Sequence, residues 1–281
     1  MEKKPKEYWI VKTFSNTALH LIAAEIIRKH STNSVDIRSV ALDSLDLTQC
    51  RSILDIGCGF GFFTEALKGR IHWNATVTGI DIIAGYRDHY LETCKRSGIN
   101  GMFISEGLKP IRNFRNSSFD LILCSYALYF FPSIIPDVAR ILDRNGYFVI
   151  ITHSLRNMSE LVTFLKNAAK EIAPPRNENI KIEEIITEFS SENGEDLLRP
   201  WFSKVQRTQY ENTLIFKPED AESLMSYFHF KCPFFISEKS TGSPDVLELF
   251  ERHIRIFFEK KSEFRINKND AIFICSDPVN K

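Results

Sequence analysis

The pattern of apolar and polar positions changes near residue 50. Upstream, residues 16–30 place apolar side chains three to four positions apart, which predicts an amphipathic helix. Downstream, short runs that are apolar throughout alternate with amphipathic stretches, which indicates strands separated by crossover helices. Such an order predicts a parallel sheet with helices on both faces. The predicted strands are residues 52–56, 76–82, 102–105, 118–125 and 145–154, with helices over 62–70, 86–98 and about 134–143.

The alternation stops after residue 154, and the remaining chain predicts mostly helices. A helix from Ser159 is closed by Pro174 and Pro175, and a charged, helix-like stretch with a loop at 190–196 follows. The later predicted elements are strands over 205–216 and 271–276 and helices from 218 and over 244–261.

No internal repeat, low-complexity tract or flexible linker interrupts the chain. We therefore predict one domain of 281 residues in which the N-terminal and late helices cover one edge of the sheet. Its predicted parts are an N-terminal helical segment (1–50), a core (51–154), a helical insertion (155–204) and late strands and helices (205–281).

Composition narrows the classes of protein. With 36 basic and 36 acidic residues the formal net charge is zero, which disfavours a nucleic-acid partner and a polybasic membrane surface. The first residues show no secretion signal, and no run approaches about 18 uncharged apolar residues. The six cysteines lie apart without metal-ligand spacing, so we expect buried thiols, no metal site and a cytoplasmic protein.

The most informative segment is residues 53–61 (ILDIGCGFG), where a predicted strand ends and a helix begins. Glycines at alternate positions let the backbone turn sharply and approach a ligand, beside the free N–H groups of a helix start. A dinucleotide loop needs G-x-G-x-x-G, but Phe62 takes the sixth position here and Asp55 is a poor neighbour for a pyrophosphate. Asp81, ending the next strand, offers a carboxylate to two ribose hydroxyls. Asp55 in turn suits a ligand that carries an ammonium group. The implied ligand therefore has a ribose and a positive group, and S-adenosylmethionine has both.

Five segments, in order and spacing, resemble the successive motifs of class I S-adenosylmethionine-dependent methyltransferases. They are DIGCGFG (55–61), GIDI (79–82), SEGL (105–108), SFDLILCSYALYFF (118–131) and RILDRNGYFVIITH (140–153). The resemblance covers about residues 50–154, with weaker likeness at 205–210 and 271–276, which would be the last two strands. Residues 189–216 also resemble the later part of small-molecule members. The resemblance implies an α/β fold, a Rossmann-like, doubly wound, mostly parallel sheet of about seven strands with the last one antiparallel.

The resemblance also implies which residues bind the cofactor. The glycine loop would hold the methionine end, Asp81 the ribose, and Ile82 with residues 106–108 the adenine. Residues 124–126 would lie near the methionine and the reacting methyl group. Glu106 stands where the family often has Asp. The implied cofactor-binding residues are Asp55, Gly57, Cys58, Gly59, Gly61, Asp81, Ile82, Glu106, Gly107, Leu108, Cys124 and Ser125.

Three residues are candidates for the chemistry. His153 follows the fifth strand at the carboxyl edge of the sheet, where it would serve as a general base; the alternative is an ordinary loop histidine. Tyr126 and Tyr129 follow the fourth strand, where their faces would favour a sulfonium charge by about 0.5–2 kcal/mol; the alternative is core packing. The glycine loop and Asp81 also have alternatives that involve no ligand: the loop as a tight turn and Asp81 as the N-cap of a helix.

We therefore expect an enzyme that transfers the sulfonium methyl group of S-adenosylmethionine to an oxygen, nitrogen or carbon atom of a small organic acceptor. The transfer would be an in-line displacement that leaves S-adenosylhomocysteine. Two alternatives stay open. In the first, the methyl acceptor is a macromolecule such as RNA or another protein. In the second, this chain is a scaffold that binds the cofactor without catalysis.

Overall fold

Helices and strands alternate through the first half of the chain, as the apolar pattern predicts. The computed structural model describes residues 6–169, 181–235 and 244–279. The predicted helix end at Pro174 and Pro175 lies outside these ranges. The helices are α1 (Lys6–Phe14), α2 (Thr17–His30), α3 (Ile37–Leu42), α4 (Phe62–Glu65), α5 (Arg87–Ser97), α6 (Ile135–Ile141), α7 (Ser159–Ala169), α8 (Lys181–Glu188), α9 (Gly194–Leu198), α10 (Ala221–Phe235) and α11 (Pro244–Lys260). The strands are β1 (Ser52–Ile56), β2 (Thr76–Ile80), β3 (Asn100–Ile104), β4 (Phe119–Ser125), β5 (Leu142–His153), β6 (Phe202–Tyr210), β7 (Thr213–Phe216), β8 (Phe264–Asn267) and β9 (Asp270–Pro278).

The described chain divides into two compact units. The first, called the sheet unit below, comprises the described residues within 35–154, 187–210 and 270–281. The second, called the helical unit, comprises those within 1–34, 155–186 and 211–269. The prediction that the whole chain is one domain stays a prediction.

In the sheet unit, seven strands of the described ranges form one sheet in the order β3-β2-β1-β4-β5-β9-β6. Strands β1 to β5 run parallel, and β9 runs antiparallel between β5 and β6. The central strands are apolar throughout because their side chains are buried, as at Ile53, Leu121 and Val149. The fold class, including the antiparallel last strand, is thus confirmed. Since β1 pairs with both β2 and β4, the strand order reverses beside β1, where ligands of such sheets bind.

Some element boundaries differ from those predicted. The helix predicted over 62–70 ends at Glu65 because the next turns close with bonds three residues apart, such as Leu67 N–H to Thr64 O, before the left-handed Gly69. Strand β5 begins at Leu142, where the helix was predicted to continue, because Leu142 is already extended.

The predicted strand over 205–216 is two strands, β6 and β7. The break lies at Asn212, whose backbone N–H donates to Asn269 Oδ1 (2.8 Å) and whose side-chain amide donates to Ser31 Oγ (3.0 Å). These bonds take the polar groups of Asn212 away from any continuous ladder. In the helical unit, β7 pairs antiparallel with β8, a strand that was not predicted.

Aromatic rings pack together in the core of the helical unit. The rings of Phe228 and Phe250 are stacked with centroids 3.8 Å apart, and Phe164 meets Phe250 and Phe264 edge to face at 5.5 and 5.4 Å. Such pairs contribute about 0.5–1.5 kcal/mol each beyond the burial of apolar area. The helical unit therefore has an apolar core of its own.

Two expectations from composition can be compared with the structure: that the cysteines are buried and that no segment spans a membrane. All six cysteines are buried, as the apolar surroundings of each one predict. No single helix in the described ranges is long and apolar enough to cross a membrane, although α1 and α2, bent by 79°, meet that test of length and composition as a pair. The cytoplasmic location stays a prediction.

Candidate active site

The loop after β1 has a backbone that only glycine adopts easily. Gly57, Gly59 and Gly61 have φ values of 67°, 50° and 79°, in the left-handed region. A Cβ at position 57 would lie 2.7 Å from the Cβ of Ala127, and one at position 61 would lie 3.0 Å from the ring of Tyr90. At Gly59, by contrast, a Cβ would meet no described atom within 4 Å. Gly57 and Gly61 therefore permit close packing, whereas Gly59 borders open space.

Asp55 lies beneath this loop. Its side chain is buried, and one carboxylate oxygen accepts a hydrogen bond from the Thr64 hydroxyl at 2.7 Å. That hydroxyl is also 3.3 Å from the hydroxyl of the buried Tyr90. Burial raises the pKa of Asp55 to about 7, against the opposing effects of the Thr64 hydrogen bond and the Arg38 charge, while the Asp81 charge adds to the rise. Its contact with the methionine end of the cofactor stays a prediction.

Cys58 also belongs to the predicted set of cofactor-binding residues. Its side chain is buried, and burial raises the pKa of its thiol well above the usual value. The backbone N–H groups of Gly57 and Cys58 both donate to Ile80 O, at 2.8 and 3.2 Å. These bonds attach the loop to the end of β2.

Asp81, which follows β2, is held by backbone N–H groups on both oxygens. Oδ2 accepts from Gly59 (3.0 Å) and Oδ1 accepts from Ile83 (2.9 Å). Burial raises the pKa of Asp81 and these hydrogen bonds oppose the rise. The Ile83 bond closes a local turn of a kind that aspartates often form with the residue two positions on, whereas the Gly59 bond joins the loop after β1 to the loop after β2. Each oxygen has a second lone pair, which fits the predicted bonds to ribose hydroxyls.

The residues predicted around the adenine lie next to Asp81. Gly107, with φ of 60°, donates its N–H to Asp81 O at 3.3 Å. A Cβ at position 107 would lie 3.5 Å from Ile82 Cβ, so these two residues are neighbours. Leu108 is half-buried and Glu106 is exposed. The structure thus brings Ile82 and Gly107 together, and the adenine roles stay predictions.

The three catalytic candidates form one cluster at the ends of β4 and β5. The imidazole of His153 is stacked against each of two tyrosine rings. Its centroid lies 4.6 Å from that of Tyr126, at an interplanar angle of 27°, and 5.6 Å from that of Tyr129, at 21°. On β4 just before them, Cys124 is completely buried, burial raises the pKa of its thiol well above the usual value, and Ser125 is partly exposed.

A fourth member of this cluster, Asp270, was not identified from the sequence. Its Oδ1 lies 2.7 Å from His153 Nδ1, and its Oδ2 accepts a hydrogen bond from the Tyr126 hydroxyl at 2.7 Å. Asp270 begins β9 and is paired with His153 across the antiparallel ladder. The available signal was the polar residue just before the last apolar strand, since an antiparallel strand starts at the edge where β5 ends.

The glycine loop and the aromatic cluster adjoin. Residue 56 of β1 pairs with residue 124 of β4, and the chain then passes Gly57 so closely that Ala127 excludes a side chain there. Arg38, on α3, adds positive charge beside both parts. Its guanidinium carbon is 5.3 Å from the ring centroid of Phe62, and its charge opposes the rise in pKa of Asp55 and of Tyr126. Sequence reasoning also missed Arg38, which no motif marks.

These features fit the predicted ligand. The space in front of Gly59, the oriented carboxylate of Asp81 and the adjoining Ile82 and Gly107 suit a group with a ribose. Asp55 below the loop and the ring faces of the aromatic cluster suit a group with positive charge. The geometry gives no support to a pyrophosphate, whose charge Asp55 and Asp81 would repel.

Comparison with known proteins agrees with this interpretation. Residues 53–146 match the family described as the methyltransferase domain. The uncharacterized methyltransferase YcgJ of Bacillus subtilis (strain 168) is 26% identical over 115 residues, which are 37% of this chain and 43% of the relative. The aklanonic acid methyltransferase DauC of Streptomyces sp. (strain C5) is 27% identical over 158 residues, which are 52% of this chain and 70% of the relative. The chain thus matches less than half the length of the first relative and about two thirds of the second.

Among solved structures, phosphoethanolamine N-methyltransferase 2 of Haemonchus contortus, in complex with S-adenosyl-L-methionine, has the same fold. It superposes with a TM-score of 0.54 at 12% identity, over 99% of this chain and 61% of that chain. The fold is therefore Rossmann-like, as in that structure. Residues 53–146 match a methyltransferase domain, and the matches together support a class I S-adenosylmethionine-dependent methyltransferase. The predicted family, enzyme class and cofactor are confirmed at this level, and the roles of single residues stay predictions.

Proposed function

We propose that this protein transfers the methyl group of S-adenosylmethionine to an oxygen, nitrogen or carbon atom of a small organic acceptor by in-line displacement. The observation that carries the proposal is the cluster of Tyr126, Tyr129 and His153 beside the glycine loop. The cofactor, when bound, supplies a methyl group already activated by a positive sulfur. The chain is left to align the acceptor, to exclude water and to receive a proton where the acceptor must lose one.

The candidate residues differ in their suitability as a base. The Tyr126 hydroxyl donates to Asp270, and burial together with the Asp270 charge raises its pKa well above the usual value. Tyr126 therefore contributes a ring face, worth about 0.5–2 kcal/mol toward a sulfonium charge, and not a base. His153 is the better proton acceptor because an imidazole ordinarily titrates near physiological pH. Tyr129 contributes the second ring stacked on His153.

Two observations support a small acceptor. The relative DauC is named for methylation of aklanonic acid. The formal net charge of this chain is zero, without the basic surplus that nucleic-acid-binding proteins normally show.

The cofactor part is tested by calorimetry with S-adenosylhomocysteine. We expect binding by the wild type and a loss of about 10- to 100-fold in affinity in Asp81→Asn, because one oxygen that accepts hydrogen bonds becomes a donor. The control is Asp88→Asn, an exposed aspartate on α5, which should bind like the wild type. Absence of binding by the wild type would overturn the proposal.

The acceptor part is tested with S-adenosylmethionine that carries a radiolabelled methyl group. The protein is incubated with cell extract, which is then separated into small molecules and macromolecules. Label in the small-molecule fraction supports the proposal. Label confined to RNA or protein overturns the small acceptor, and binding of S-adenosylhomocysteine with no transfer to either fraction indicates a non-catalytic scaffold.

A further inference from the structure

The carboxylate of Asp270 uses its two oxygens on two different side chains of the cluster. Asp270 is 1% exposed, and its position opposite His153 in the β5–β9 ladder fixes where the carboxylate lies. Oδ1 faces His153 Nδ1 and Oδ2 faces the Tyr126 hydroxyl, both at 2.7 Å. A buried carboxylate is costly unless hydrogen-bond donors surround it. Both contacts are therefore most favourable when the Tyr126 hydroxyl and His153 Nδ1 each donate a hydrogen to the carboxylate.

This requirement determines the tautomer of His153. An ionised carboxylate only accepts hydrogen bonds, so the proton of a neutral imidazole has to reside on Nδ1 to make the 2.7 Å contact. Nε2 then carries the lone pair. The hydroxyl of Tyr126 donates its hydrogen to Asp270 Oδ2, and the imidazole faces Oδ1.

The backbone conformation of Tyr126 is a second observation that points to a functional role of the cluster. Tyr126 has a φ of 54°, in the left-handed region, which costs on the order of 1–3 kcal/mol for a residue other than glycine. Its N–H is held by Ile151 O at 2.8 Å and its hydroxyl by Asp270. In this strained conformation the ring of Tyr126 stacks on the imidazole of His153. The stacking restricts the orientation of the imidazole plane.

We propose that Asp270 is a positioning residue that holds His153 in the Nδ1–H tautomer, so that Nε2 receives the proton of the methyl acceptor. In that step the bond between the attacking atom and its hydrogen breaks, the proton bonds to Nε2, and the electron pair stays on the attacking atom. The resulting imidazolium lies 2.7 Å from the Asp270 carboxylate, which stabilises it. The proton transfer rests on the proposed function, whereas the tautomer is a property of the protein alone.

The tautomer is measured by NMR of the protein labelled with ¹⁵N in its seven histidines. The His153→Gln variant assigns the signals of His153. At a pH where the imidazole is neutral, we expect Nδ1 to be the protonated nitrogen in the wild type. In Asp270→Asn an NH2 group replaces one of the two carboxylate oxygens. If the remaining oxygen keeps the Tyr126 hydroxyl, the NH2 group faces Nδ1 as a donor, and we therefore expect the population to move toward Nε2–H.

Two NMR results would overturn the inference. One is a wild-type His153 protonated at Nε2, and the other is an Asp270→Asn protein with an unchanged tautomer. The wild-type spectrum decides the first point by itself, so the inference stays testable if the variant fails to fold.

The activity arm uses the acceptor identified in the radiolabel experiment. General-base catalysis contributes about 10²- to 10⁴-fold, so we expect Asp270→Asn to lower kcat by about 10- to 1000-fold. The affinity for S-adenosylhomocysteine should stay within about twofold, and Asp270→Glu should restore part of kcat. The matched control is Asp277→Asn, a partly exposed aspartate on the same strand.

The outcomes separate the inference from the proposed function. An unchanged kcat in Asp270→Asn overturns the positioning role while methyl transfer by the wild type stands. Absence of any transfer by a wild type with the Nδ1–H tautomer overturns the proposed function and leaves the tautomer assignment in place.

Discussion

Gly59 differs from the other left-handed glycines of its loop in what faces it. Gly59 and the remote Gly69 share a positive φ, 50° and 73°, and open space where a Cβ would be. Alanine at either position costs on the order of 1–2 kcal/mol of backbone strain. Only the Cβ at position 59 would enter the space that the cofactor fills in our proposal.

This contrast gives a matched pair of variants. We expect Gly59→Ala to weaken binding of S-adenosylhomocysteine at least about tenfold, the equivalent of about 1.4 kcal/mol. Gly69→Ala should bind like the wild type, and both variants should lose similar stability in thermal unfolding followed by circular dichroism. Equal affinity of the two variants would show that Gly59 does not border the cofactor.

Asp55 carries a predictable cost in stability because its pKa is about 7 in the folded protein and about 3.9 when unfolded. A group whose folded pKa is raised contributes stability that is full below the unfolded pKa and is lost as the pH rises through the folded pKa. Asp55→Asn removes this loss while it keeps an acceptor for Thr64. We therefore expect the variant to gain stability over the wild type between pH 5 and pH 8, by on the order of 1–4 kcal/mol at pH 8.

Urea unfolding across that pH range measures the difference. The exposed Asp196, changed to Asn, is the control and should follow the wild type at every pH. Parallel stability curves for the wild type and Asp55→Asn would contradict a buried carboxyl with a raised pKa.

At the residue scale, the sequence predicted what local motifs determine. Asp81 and the three glycines stand at fixed spacing within single turns, and the structure brings them together in one loop system. Asp270 could not be placed in the same way, because it meets His153 only through a ladder between residues 117 positions apart. Thr64, which binds Asp55 from the next helix, likewise has no signature of its own.

At the scale of elements, apolar runs predicted strands better than they predicted where strands end. All five strands of the parallel part were foreseen. In the central strands, burial on both faces leaves a continuous apolar run, whereas β3 at the edge of the sheet is only partly buried. Strand β8 escaped prediction because it has only four residues, too few for the alternation of buried Phe264 and Ile266 with more exposed positions to stand out.

Strands β6 and β7 show a second limit of sequence reasoning. They were predicted as one strand because both are rich in β-formers, and the break at residues 211 and 212 depends on hydrogen bonds to remote residues. Their separation moves β7 into the two-stranded sheet of the helical unit. Long-range polar bonds, and not local propensity, decide this boundary.

At the scale of the whole molecule, the path of the chain bears on how the two units unfold. The helical unit is assembled from three separate stretches, and each continues into the sheet unit, as at residues 34 and 35 or 154 and 155. The consecutive residues Ile186 and Thr187 of α8 even fall in different units. If the sheet unit unfolds, the stretches lose their fixed ends, and bringing them together costs additional loop-closure entropy.

We therefore expect one cooperative transition in differential scanning calorimetry, as for a single domain. S-adenosylhomocysteine at about 100 times its Kd should stabilise the protein by about 2.7 kcal/mol and move the whole transition to higher temperature. Gly59→Ala at the same ligand concentration should show a smaller shift, which separates binding from nonspecific effects of the ligand. Two transitions, of which the ligand moves only one, would show that the units unfold independently and that the chain is two domains, because ligand bound to one unit would then leave the other unaffected.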